Sequence, residues 1–211
     1  MNKYFFTVLL SVVLTANNVQ AQFIFGVRAG VNSAKICGGI GAATKMKLGF
    51  QIGAVADYSV SNKLSIEPGF FFATLGHKMI GSSTTQGGEQ ITNRCFVTPN
   101  YIQFPVHARY KFENKLILQA GPYLGFAVGG KVREKIGRTG NVFEHKLKFG
   151  GDDYRIFDCG FGIGVAMQFS NIQIGLEGKQ GFIGVKPSMH ETLSYSKNVS
   201  LSLTATYMLG K

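Results

Sequence analysis

In the closing segment of the chain, Val199, Leu201, Leu203, Ala205, Tyr207 and Leu209 are set against Ser200, Ser202, Thr204 and Thr206. Side chains of a strand point alternately to opposite faces, so a period of two makes a β-strand with one greasy and one small or polar face. The same device begins at Phe23 and recurs over 48–58, 64–75, 101–112, 116–128, 157–169 and 172–182. With the closing strand at 199–209, eight strands are expected.

The links between them carry a second signal. Short links around Ser59 to Lys63, at Glu113 and Asn114, and at Ser170 and Asn171 alternate with long ones at Ser33 to Lys47, Gly76 to Asn100, Gly129 to Ile156 and Gly184 to Asn198. A transmembrane β-barrel with both termini in the periplasm shows this asymmetry: short periplasmic turns and long extracellular loops. Aromatic residues at the short-turn ends (Phe23, Tyr58, Tyr110, Phe112, Phe169 and Tyr207) suit a bilayer interface. No run of ~18 apolar residues is present beyond the first 21, so a helical span is excluded on length.

Alternation does not say which face is inside, because a soluble lipocalin-like barrel has the same period with its apolar side buried. Volume decides. Eight strands enclose a space that side chains just fill, and the greasy face offers Phe23, Phe25, Phe50, Phe70, Phe72, Phe104, Phe126, Phe157, Phe161 and more. The other face carries groups such as Gly49, Gln51 and Gly53, which suit a narrow lumen. The expectation is therefore an all-β, eight-stranded antiparallel up-and-down transmembrane barrel. It turns its bulk toward lipid and satisfies every backbone group by closing.

Residues 1–21 read as a signal peptide, with Lys3, an apolar core from Tyr4 to Ala16 and small residues at Val19 and Ala21 before a cut at Gln22. The barrel domain is then 22–211, placed in the outer membrane after cleavage. Cys37, Cys95 and Cys159 show no CxxC spacing, so no metal site is indicated. Cys37 and Cys95 are candidates for a disulfide in an oxidising compartment, leaving Cys159 free.

The stretches LSIEPGFFF (64–72), YIQFPVHARYKF (101–112), KLILQAGPYLGFAVGGK (115–131) and SLSLTATYML (200–209) resemble the PorT-like outer-membrane β-barrel family. The resemblance implies an eight-stranded Gram-negative outer-membrane barrel. Some relatives are linked with protein-secretion assembly.

Strand register turns Arg28, Asp57, Glu67, Gln103, His107, Arg109, Tyr123, Asp158, Glu177 and Lys179 inward. Charges of both signs in a narrow lumen are expected to pair and plug it, since an unpaired buried charge is costly. A gate sensitive to His107 is the functional alternative, and an open diffusion pore does not suit eight strands. The formal charge of +11 has one focus in Lys131, Arg133, Lys135, Arg138, Lys146 and Lys148, an outer loop opposed by Glu134 and Glu144. For an exported chain the fitting partners are lipopolysaccharide phosphates, outer-membrane lipid or other envelope and secretion proteins, and not nucleic acid.

Gly81 to Gln90 reads as a flexible segment, and the Asn198-Val199-Ser200 glycosylation pattern falls in a strand. No cofactor is expected. His77, His145 and His190 lie among loop serines and threonines without the spacing of a Ser/His/Asp set. The chain thus reads as non-enzymatic, with an outer-membrane lipid hydrolase or acyltransferase as the alternative.

Overall fold

The computed structural model describes residues 23–37, 44–84, 90–136, 141–150, 154–185 and 196–209. The leader, Arg138 and His190 lie outside them. The described residues form ten antiparallel strands: β1 (Phe23–Cys37), β2 (Thr44–Ser59), β3 (Leu64–Thr74), β4 (His77–Thr84), β5 (Gln90–Lys111), β6 (Leu116–Ile136), β7 (Asn141–Lys146), β8 (Phe157–Phe169), β9 (Ile172–Gly184) and β10 (Lys197–Leu209).

Eight of them close a ring in the order β1, β2, β3, β5, β6, β8, β9, β10. The seam is sealed by β10 on β1, from Phe25 opposite Leu209 to Cys37 opposite Lys197. The remaining two, β4 and β7, stand above the ring. β4 lies between β5 and the first residues of β2, and β7 lies on the far end of β6.

Much of what reads as long loop in the sequence is therefore strand. β1 runs on to Cys37, β5 starts at Gln90, β6 continues to Ile136, and Gly81–Thr84 belongs to β4. Polar residues dominate these stretches because they leave the bilayer, and water satisfies a strand's outer face as well as lipid does. The short turns are as expected, and two carry non-glycine residues at positive φ, Lys115 (67°) and Ser170 (52°). Tight hairpin links commonly need such a conformation.

The greasy face points out: Ile163 is 68 % exposed and Leu203 53 %, while Ser202 is 1 % exposed. Glycines let the wall curve. A Cβ on Gly121 would run into the Val106 carbonyl oxygen, and one on Gly160 into that of Gln180.

Alongside the aromatics at the short-turn end, a second belt sits at the other rim. Phe70, Phe104, Phe126 and Phe157 pack ring to ring at 5.3–6.2 Å between centroids, with the Phe50–Phe72 pair beside them at 6.0 Å. From Phe169 to Phe157 along β8, a tilted strand rises about 30 Å, the thickness of a hydrocarbon core.

Candidate functional site

Inside the ring, between the two belts, the alternation of β1, β2, β3, β5, β8 and β9 brings Arg28, Asp57, Glu67, His107, Arg109, Asp158, Glu177 and Lys179 into the lumen, each at most 5 % exposed. Glu67 is the hub. It accepts hydrogen bonds from Arg28 at 2.7 and 2.9 Å and from Arg109 at 2.6 Å. Arg28 Nε also donates to Thr206 at 2.7 Å, and Arg109 to Gln173 at 2.6 Å. Toward the periplasm Asp57 pairs with Lys111 at 2.5 Å.

On the other side of the hub, His107 Nε2 lies 3.0 Å from Glu177 Oε1, and Lys179 Nζ lies 3.5 Å from Glu177 and 3.4 Å from Gln103. Asp158 is held by neutral donors, the Tyr123 hydroxyl at 3.2 Å and the Asn198 amide at 2.9 Å. Phe71 fills the middle, with the Arg28 guanidinium and the Lys179 ammonium each 5.8 Å from its ring centre. Three of the four carboxylates thus have cations within ion-pair distance, Glu67 with Arg28 and Arg109, Asp57 with Lys111 and Glu177 with Lys179, spread along the lumen.

Above this network the lumen turns apolar. Ala34, Leu75 and Tyr101 form one buried cluster, and Ile36, Val97, Val132, Tyr154 and Val185 form a second beyond it, with Met79, Cys95, Leu147 and Phe149 packed against it. This upper region, the collar, is built from β4, β7 and the outer ends of the neighbouring strands. Burial pushes the Tyr154 hydroxyl up to about 12 and raises the Cys95 thiol, which also lies near Glu134.

A one-residue irregularity sets the collar's outer face. Across β5 and β6, Asn100 faces Gly129 while Tyr101 faces Ala127, so Val128 has no opposite residue and forms a bulge. Below it the odd residues of β6 (Gln119, Tyr123) point inward. Above it Val132 points inward, and Lys131, Arg133 and Lys135 point out to water. An unbroken register would have done the reverse.

Glu144 on β7 answers two of these cations, accepting from Arg133 at 2.8 and 2.9 Å and from Lys131 at 3.2 Å. Those hydrogen bonds, Arg133's first, hold its exposed carboxyl below the usual carboxylate range. Lys146 ends β7 and Lys148 follows it, both exposed. The basic face is wider than the loop named from sequence, because β2, β4 and β5 add Lys45, Lys78 and Arg94. The missed signal was the alternation of Arg94, Phe96 and Thr98 with Cys95 and Val97, a strand pattern inside a presumed loop. Half-buried Lys47 is held below its ordinary value by burial first, then by repulsion from Lys131 and Arg133.

The expected bridge between Cys37 and Cys95 does not form, and both are free thiols. Cys95 shares the inner face of β5 with Val97, whereas Cys37 follows the inward Ile36 and so faces outward. The sheet wall separates them. Cys159 is free as well. His77 is buried inside the collar, and His145 is exposed on β7 opposite Val132. Among the described residues no group of three His, Cys, Asp or Glu side chains converges on a possible metal position.

The family described as outer membrane protein beta-barrel domain matches residues 16–186. Among solved structures, the chain is similar to the attachment invasion locus protein Ail of Yersinia pestis, there in complex with the heparin analogue sucrose octasulfate: 13 % identity, 89 % of this chain, 99 % of that one, TM-score 0.47. It is also similar to Neisserial surface protein A, at 14 % identity over 87 % of this chain and 96 % of that one, TM-score 0.48. CarO2 of Acinetobacter baumannii matches at 14 % identity over 89 % of this chain and all of the other (100 %), TM-score 0.44. A search of curated proteins gave no match.

Proposed function

Because the chain belongs to the outer membrane protein beta-barrel domain family, and is thus an integral protein of the outer membrane, we propose that it works there as a closed, non-enzymatic scaffold that presents its collar to partners outside. The observation that carries this reading is the filled lumen. The Glu67 hub bonds to guanidinium groups from two strands, Arg28 and Arg109, and the apolar clusters of the collar lie above it. A solute crossing the ring would have to break buried, charge-assisted hydrogen bonds, each worth more than a neutral one. The working surface is then the collar, whose partners are phosphorylated glycolipid of the outer leaflet or proteins of the envelope. The likeness of 64–72, 101–112, 115–131 and 200–209 to PorT-like barrels supports a place beside a secretion assembly.

Planar-bilayer recording of the purified protein tests the scaffold reading. The expected trace stays at the bare-bilayer level, and a steady porin-like conductance would overturn it. Lipid extracted after incubation should be chemically unchanged; a deacylated or acylated product would establish an enzyme instead.

A further inference from the structure

Three basic pairs stand directly opposite one another across the collar's hydrogen-bonded strands: Lys45 with Lys78 between β2 and β4, Arg94 with Lys135 between β5 and β6, and Lys131 with Lys146 between β6 and β7. Like charges placed opposite each other destabilise a sheet. Glu144 offsets Lys131 and Arg133 only, and Lys78 leans on the Phe96 ring at 5.3 Å. Among the described residues no carboxylate lies within ion-pair distance of Lys45, Arg94, Lys135 or Lys146. A repulsion repeated three times on one outward face, to which the described residues bring a single carboxylate, Glu144 on Lys131, calls for anions from outside.

The fold also says where those anions stand. Lys131 is five residues beyond Phe126 of the outer aromatic belt and Lys135 nine, so the face begins roughly 13 Å above that belt and ends near 23 Å. It looks sideways from the barrel wall, toward neighbouring lipids. Strands about 4.8 Å apart, with same-face residues about 7 Å apart along each, set the charges in a close lattice. Saccharides bearing several phosphates, at the height of a glycolipid headgroup core, match that position and spacing.

We propose that the opposed basic pairs of the collar form a ladder that binds the phosphorylated headgroup saccharides of outer-leaflet glycolipid, and that this binding completes the collar by relieving its internal repulsion. The proposal rests on the scaffold reading above, naming which partner the collar takes. Their failures differ: a conducting lumen would sink the scaffold and leave the ladder, while loss of the ladder leaves a closed barrel whose collar meets protein.

The test uses the full chain in nanodiscs of phospholipid alone or with lipopolysaccharide, compared with a variant removing one member of each pair (Lys78→Gln, Arg94→Gln, Lys146→Gln). Retained lipopolysaccharide is measured by native mass spectrometry and collar order by amide exchange of β6 and β7. Each basic residue near an anionic surface is worth about fivefold in affinity, so the triple variant should bind on the order of 100-fold more weakly. Without lipopolysaccharide its collar should be at least as protected as the wild type's. With it, only the wild type should gain protection. Equal retention by both proteins would overturn the proposal. So would wild-type retention that survives enzymatic removal of the phosphates, equal protection by inorganic phosphate at matched phosphate concentration, or a looser collar in the variant without lipopolysaccharide.

Discussion

Below its outer aromatic belt the barrel keeps charge inside and hydrocarbon outside, and above that belt it does the opposite. On β5 the inward residues run from Arg109, His107 and Gln103 to Val97 and Cys95, while the outward ones run from Tyr110, Val106 and Phe104 to Arg94. On β1 the inward Arg28 and Asn32 give way to Ala34 and Ile36. One hydrogen-bonded wall serves both regions, and only the solvent around it changes. In lipid the wall's exterior must be apolar, so polar groups are paired in the middle; in water the ordinary arrangement of an apolar core returns. β1 and β5 make the exchange by composition alone. β6 makes it by spending one residue, Val128, to reverse its parity.

Deleting Val128 is the strongest way to break this contrast. It would turn Lys131, Arg133 and Lys135 inward and Val132 outward, and each unpaired buried cation costs several kcal/mol. The collar should not form, with amide protection lost on β7 and on β6 beyond Gly130, while the ring below still shifts on a gel between heated and unheated samples. A collar retained with native exchange rates would show that the bulge does not set its register.

Glu67→Gln attacks the other region. The change leaves Arg28 and Arg109 without their shared carboxylate in a site where Glu67 is 1 % exposed. Breaking a buried ion pair from one side costs about 3–5 kcal/mol, read as a lower urea midpoint in vesicles, with collar exchange unchanged. An unaltered midpoint would mean that the hub does not hold the ring.

Acid acting on the collar should produce the smallest effect. The Glu144 carboxyl is lowered in the folded collar by its bonds from Arg133 and Lys131, so its contribution is fully present above the ordinary carboxylate range. It is lost as pH falls through the lowered value. Exchange at β7 amides should quicken over that window, and Glu144→Gln should abolish the pH dependence. A window that persists in the variant would assign it to another group.

The eight-strand ring was legible because alternation between lipid and lumen is a period-two signal that each strand repeats on its own, as Val199 to Leu209 do. The ten residues named as inward were legible for the same reason, since parity from a neighbouring greasy residue assigns each one a face. Which inward groups meet was not legible. Arg28, Glu67 and Arg109 lie on β1, β3 and β5, and only closure brings them together. The long links conceal strands because the collar strands mix the two residue classes on one face, as Phe96 does between Arg94 and Thr98 on the outer side of β5. The Cys37–Cys95 pairing failed through parity, which spacing along the chain does not reveal.

Local chemistry alone determined that this chain would span a membrane as strands and that its bulk would face lipid, because every strand meets the same two solvents. Tertiary structure alone decided the hub at Glu67, the reversal at Val128 and the opposed cations of the collar. Each of these depends on how one strand is aligned against another, and that alignment is a property of the closed ring, set by strand pairing and bulges, that no single segment encodes.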